Sequence, residues 1–235
     1  MEGTTIKTLL LSALLLAAGC DQTTISKPSP PAAASAQVTG SACVIDERWL
    51  QHDYDHAVDY ANPGVRTDFF LLVYSHSPSF CQRMAERGRH DETLLQCRSP
   101  NRFGWVIHGL WGESESAYRR REDRSHPRFC KGDLPPLPLE AIKPYLCMSP
   151  GTRLLQGQWE KHGACDFDSA GAYFDKTKAL FERFPVPPGE LKAGAAVSWM
   201  KDNSPALRDK WLHRSGDEFG ICFSTAFEVI SCPRR

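Results

Sequence analysis

The chain of 235 residues is 41% hydrophobic and 24% charged, an ordinary globular composition with enough material for one good-sized core. Its formal net charge is zero. The whole-chain charge therefore argues neither for nor against a polyanionic partner, and any such site must be local.

Residues 1–20 read MEGTTIKTLLLSALLLAAGC, with Lys7 ahead of an apolar run from Thr8 to Ala18. The run is short for a bilayer span and has the shape of a signal-peptide core, here residues 1–19. Ala17-Ala18-Gly19-Cys20 resembles a bacterial lipobox. It predicts an exported, periplasmic lipoprotein tethered to a membrane through lipid on Cys20; plain secretory cleavage nearby is the competing reading. Residues 20–40 are mostly small, polar or proline and read as a tether with a reach of about 25 Å.

Residues 41–235 show no repeat and no second linker and read as one domain. DFFLLVYS (68–75) and FGWVIHG (103–109) are apolar runs that predict buried strands. Over 152–162, Leu155, Trp159 and His162 share one helical face. Asp168 or Ser169 can cap a helix over 170–184, with Tyr173, Leu180 and Phe184 on one stripe. Ser204-Pro205 predicts a further helix closed by Gly216. Short strands over 218–223 and 226–231 complete the chain. Strands and helices mix without regular alternation, which predicts the α+β class.

Nine cysteines occur, and assigning Cys20 to lipid leaves eight. In an exported chain they predict four disulfides, although eight cysteines allow 105 pairings. The absence of any CxxC pair argues against zinc.

Among eight histidines, His52, His56, His90, His126 and His213 have polar neighbours and are predicted exposed. His108 ends an apolar strand and precedes Gly109-Leu110-Trp111, the placing of a site residue, although taken alone it reads more often as a core histidine. In a helix, Gln158 reaches the same surface as Lys161 and His162 by i, i+3 and i, i+4 spacing. Two histidines and a lysine suit phosphoryl transfer without a metal or other cofactor. One imidazole takes a proton, the other gives one, and the ammonium stabilises charge on phosphorus.

FGWVIHGLWG and QWEKHGAC closely resemble the two active-site segments of the ribonuclease T2 family. DFFLLVYSHSPSFC, YLCMSP, FDSAGAYF and ICFSTAFEVISCP fit the same pattern in the same order, from about residue 66 to 233. The resemblance implies a central, mostly antiparallel sheet flanked by helices and stapled by disulfides. It also implies a monomeric endoribonuclease of low base specificity, acting on single-stranded RNA. The RNA's own 2′-hydroxyl attacks phosphorus to give a 2′,3′-cyclic phosphate and then a 3′-phosphate. His108 matches the general acid, His162 the general base and Lys161 the lysine that stabilises the phosphorane. Trp111 matches an aromatic that stacks on a base, with a core tryptophan as the equal alternative. Glu113 and Tyr118 lie near positions that complete the base pocket. The implied disulfides are Cys81–Cys97, Cys222–Cys232 and Cys130–Cys165, with Cys43–Cys147 as the remaining pair.

Three positions depart from the family. Gly157 replaces a third histidine of many members, and His76 stands where tryptophan is frequent. Gln158 replaces a glutamate; its amide can donate to a phosphoryl oxygen but carries no charge. A different class of function is therefore carried alongside: an RNA-binding or interaction protein on the same fold, its catalysis impaired by Gln158. The stretch YRRREDRSHPR (118–128), with five arginines and two acids, can steer phosphates or form a solvated, internally paired loop.

Overall fold

The computed structural model describes residues 43–50, 58, 60–89 and 94–234. The signal segment, Cys20, the tether, His52, His56 and His90 lie outside the described residues. Strand β1, Phe69–His76, is buried along its whole length. Successive side chains of a strand point to opposite faces. Phe70, Leu72 and Tyr74 accordingly enter the main core, while Phe69, Leu71 and Val73 meet Tyr118, Cys222 and Cys232 in a smaller cluster.

β1 is central because it pairs on both sides, with β2 (Trp105–Glu113) and with β4 (Glu218–Phe223). The path β2-β1-β4-β3 ends on β3 (His213–Ser215), and β5 (Val229–Ile230) pairs with β4. Every pairing is antiparallel. The described residues thus form one α+β domain with an antiparallel sheet.

Helices are α1 (Ser77–Glu86), α2 (Glu115–Arg120), α3 (Leu139–Ile142), α4 (Thr152–Gln158), α5 (Ala164–Asp166), α6 (Ala170–Glu182) and α7 (Ala193–Asn203). His76 is buried and caps α1. Its Nδ1 accepts from the Ser79 amide at 3.3 Å, and its Nε2 donates to the Gly189 carbonyl at 2.7 Å. Ser169 caps α6 by accepting from the Ala172 amide. Tyr173, Leu180 and Phe184 are buried, as their spacing predicts.

Three elements differ from the sequence reading. The helix predicted over 152–162 stops at Gln158, and the chain continues as a π-turn, Trp159–Gly163. After Ser204-Pro205 there is only a single 3-10 turn, Pro205–Leu207, because His213 and Arg214 are drawn into pairing with Gly220 and Phe219 of β4. The helix of that region is α7, which lies before Ser204. The predicted last strand shrinks to Val229–Ile230.

Four disulfides join Cys43 to Cys147, Cys81 to Cys97, Cys130 to Cys165 and Cys222 to Cys232, the pairing the resemblance implies. Each loop closure stabilises a domain by about 2–4 kcal/mol. Among the described residues no helix is long and apolar enough to cross a membrane.

Candidate active site

His108 lies on β2 at a break in the ladder. Val73 pairs with Gly109 and Tyr74 with Ile107, so His108 is an extra residue without a partner on β1. Such a bulge re-aims a side chain out of the regular alternation. The imidazole Nδ1 meets Glu218 Oε1 of β4 at 2.7 Å. A carboxylate in that place fixes the ring's orientation and leaves Nε2 to exchange a proton. His108 is half-buried and borders a cavity of about 340 Å³ with Phe80, Met84, Val106 and Leu154 in its walls. Glu218 is the contact of His108 that sequence reasoning missed, since the two lie 110 positions apart.

Lys161 and His162 sit on the π-turn. Three attachments hold it: Trp159 packs in the core, the Phe129 amide donates to the Lys161 carbonyl at 3.0 Å, and Cys165 is bound to Cys130. His162 is 5% exposed, and its Nδ1 has no hydrogen-bond partner among the described residues. Burial holds its pKa well below the ordinary imidazole value of 6.5; the Arg128, Lys161, His108 and His126 charges push the same way. The ring is therefore neutral at pH 7 and able to take a proton. The Lys161 ammonium lies 5.7 Å from the Phe129 ring centre and 5.8 Å from that of Tyr60.

Trp111 joins the two histidines. Its ring stacks on His162 at 5.2 Å and 13°, and meets His108 edge-on at 5.1 Å. Its indole N–H donates to Gln158 Oε1 at 2.7 Å. With the oxygen so used, the Gln158 amide nitrogen is left as a donor. Gly109 makes this possible: a Cβ there would lie 1.8 Å from Gln158 Oε1. His108, Trp111, Gln158 and His162 thus form one contiguous group.

Glu113 and Tyr118 do not join it, which corrects the base-pocket expectation. Glu113 is 3% exposed and bound by Arg128 at 2.9 Å and His126 at 2.5 Å. Tyr118 is buried edge-on against Phe69, and its hydroxyl meets His213 Nδ1 at 2.6 Å. Both polar groups face inward, so neither is offered to a base. The same contacts correct His126 and His213, which are buried rather than exposed. In the arginine-rich stretch, Arg119, Arg120 and Arg128 pair with Glu115, Glu122 and Glu113, which favours the internally paired reading there. Among the described residues, no three His, Cys, Asp or Glu side chains are grouped to hold a metal ion.

Comparison with known proteins gives consistent findings. The model of the ribonuclease T2 family matches residues 67–193. A probable ribonuclease of Haemophilus influenzae is 41% identical over 179 residues, 74% of this chain and 64% of that protein. The chain thus spans just under two thirds of that relative's length. Among solved structures, trichomaglin, an S-like ribonuclease, aligns over 72% of this chain and 93% of its own at 19% identity, with a TM-score of 0.52. An RNase-related protein from Calystegia sepium aligns over 72% and 92%, also at 19% identity, with a TM-score of 0.51. At such identity the likeness speaks for the fold.

Proposed function

We propose a reaction from one premise: the chain belongs to the ribonuclease T2 family. The reaction is cleavage of single-stranded RNA by transphosphorylation. His162 takes the proton of the 2′-hydroxyl, whose oxygen attacks the adjacent phosphorus. His108 gives a proton to the departing 5′-oxygen, so the products are a 2′,3′-cyclic phosphate and a 5′-hydroxyl end. The histidines then exchange roles while water opens the ring to a 3′-phosphate. Lys161 and the Gln158 amide stabilise charge on the phosphorane. DNA, without a 2′-hydroxyl, is not cut.

The observation that carries this reading is the contrast between two imidazoles that both pack on Trp111: one buried and neutral, the other held by a carboxylate. Trp111 covers His162, so substrate entry requires the indole to shift from the imidazole. A base stacking on Trp111 is a natural driver of that shift.

The test is digestion of RNA by the oxidised full chain with a chelator present. Cleavage to cyclic-phosphate ends is expected. Loss of activity in chelator contradicts the metal-free route, and RNA binding without any cleavage makes the chain the impaired binder. Export and lipid anchoring at Cys20 belong to the same proposal, on the strength of the lipobox-like AAGC. An unmodified mature N-terminus other than Cys20, seen by mass spectrometry, contradicts the anchor.

A further inference from the structure

The second groove of interest lies beyond α2, away from His108 and His162. It encloses about 520 Å³ between α2, α7, β3 and the C-terminal segment. Arg121, Lys201, Arg214 and Arg234 line it, and no carboxylate does. Among the described residues none of these four cations forms an ion pair. In a chain of zero net charge, that is a local segregation of positive charge.

Trp211 stands in the same groove and is 54% exposed, whereas the other described tryptophans are buried or half-buried. Its exposure is built into the fold. The Trp211 amide donates to Ser231 Oγ at 3.2 Å, and its carbonyl accepts from the Cys232 amide at 2.7 Å. Cys232 is tied to β4 through Cys222. Arg234 sits over the indole at 5.4 Å from its centre. The floor is the buried Tyr118–His213 pair.

Fixed aromatic surface among unpaired cations is the arrangement that binds single-stranded nucleic acid: the charges follow the phosphates and the ring takes a base by stacking. We infer that this groove is an exosite for the single-stranded RNA chain, engaging nucleotides outside the scissile pair. The inference rests on the ribonuclease reading for the identity of the strand. Tyr118 forms part of the groove floor and also belongs to the small cluster on which Trp111 packs, so site and groove flank one cluster. A strand bound at Trp111 can therefore continue across α2. Concavity favours a polymer chain over a bilayer, whose surface cannot enter a groove.

The experiment uses the full chain and an all-deoxy oligonucleotide of about 12 nucleotides, within the site sizes of single-strand binders. Lacking 2′-hydroxyls, it binds without being cut, so the readout stands even where no RNA is cleaved. Failure of the exosite and failure of the ribonuclease reading are thereby told apart. Trp211→Ala is expected to weaken binding about tenfold, the worth of one stacked base. Lys201→Gln and Arg214→Gln are each expected to reduce the slope of log affinity against log salt by about 0.7. Cleavage of a dinucleotide by all three variants stays at the wild-type rate. Unchanged oligonucleotide binding in Trp211→Ala and Arg214→Gln overturns the proposal, as does an equal loss on the dinucleotide. It is also overturned where anionic phospholipid vesicles lose binding to the variants while the oligonucleotide does not.

Discussion

The two imidazoles of the candidate site are held in opposite ways. His108 stands on a bulge of the central sheet, half-buried, with Glu218 on its Nδ1. His162 stands on a π-turn, nearly sealed by Trp111, with no partner on its Nδ1 among the described residues and positive charges around it. A carboxylate on Nδ1 fixes the orientation of one ring, whereas burial among cations holds the other below the ordinary imidazole pKa. The fold thereby gives one side-chain type two different surroundings on either side of Trp111.

The largest expected effect removes either ring. His162→Ala and His108→Ala should each lower RNA cleavage by about 10²–10⁴-fold, the usual worth of a positioned acid or base. Full activity in either variant, measured as initial rate, breaks the comparison at its root. Next comes the buried support of the His162 side. Glu113→Ala leaves Arg128 and His126 without their carboxylate, and loss of one partner from a buried ion pair costs about 3–5 kcal/mol. Denaturant unfolding should register that loss. Unchanged stability with an altered base preference would instead return Glu113 to a base pocket.

On the His108 side, Glu218→Gln should slow cleavage by about 10- to 100-fold, the worth of a hydrogen bond to a charged group, with stability little changed. An unaltered rate removes the carboxylate from the account. The smallest change is Gln158→Glu, which should keep the rate or raise it, since a carboxylate also accepts from the Trp111 indole. A new negative charge beside His162 favours its protonated form and raises its pKa. The acid limb of the pH profile of kcat/KM should therefore move to higher pH. A shift to lower pH contradicts the proximity of the two groups.

How much of this was legible in the sequence depends on distance along the chain. β1, the segment that bears His108, and α6 are written in local periodicity, and they lie close to where the patterns place them. Lys161 and His162 are adjacent, so their motif survives even where an α-helix gives way to a π-turn. His126 and His213 look solvent-facing because their neighbours are polar, yet each is drawn inward by a partner elsewhere in the sequence, Glu113 and Tyr118. Gln158 reads as a lost charge until Gly109 and Trp111 are placed beside it. Its oxygen then has a fixed partner, and its nitrogen becomes the group to watch.

The assignment of acid and base is tested most directly with a substrate that needs no acid: a nucleoside 3′-phosphodiester whose leaving group is a nitrophenolate. His108→Ala should cleave it at close to the wild-type rate while failing on RNA, and His162→Ala should fail on both. Recovery of His162→Ala, with His108→Ala still inactive, would reverse the roles and contradict the account.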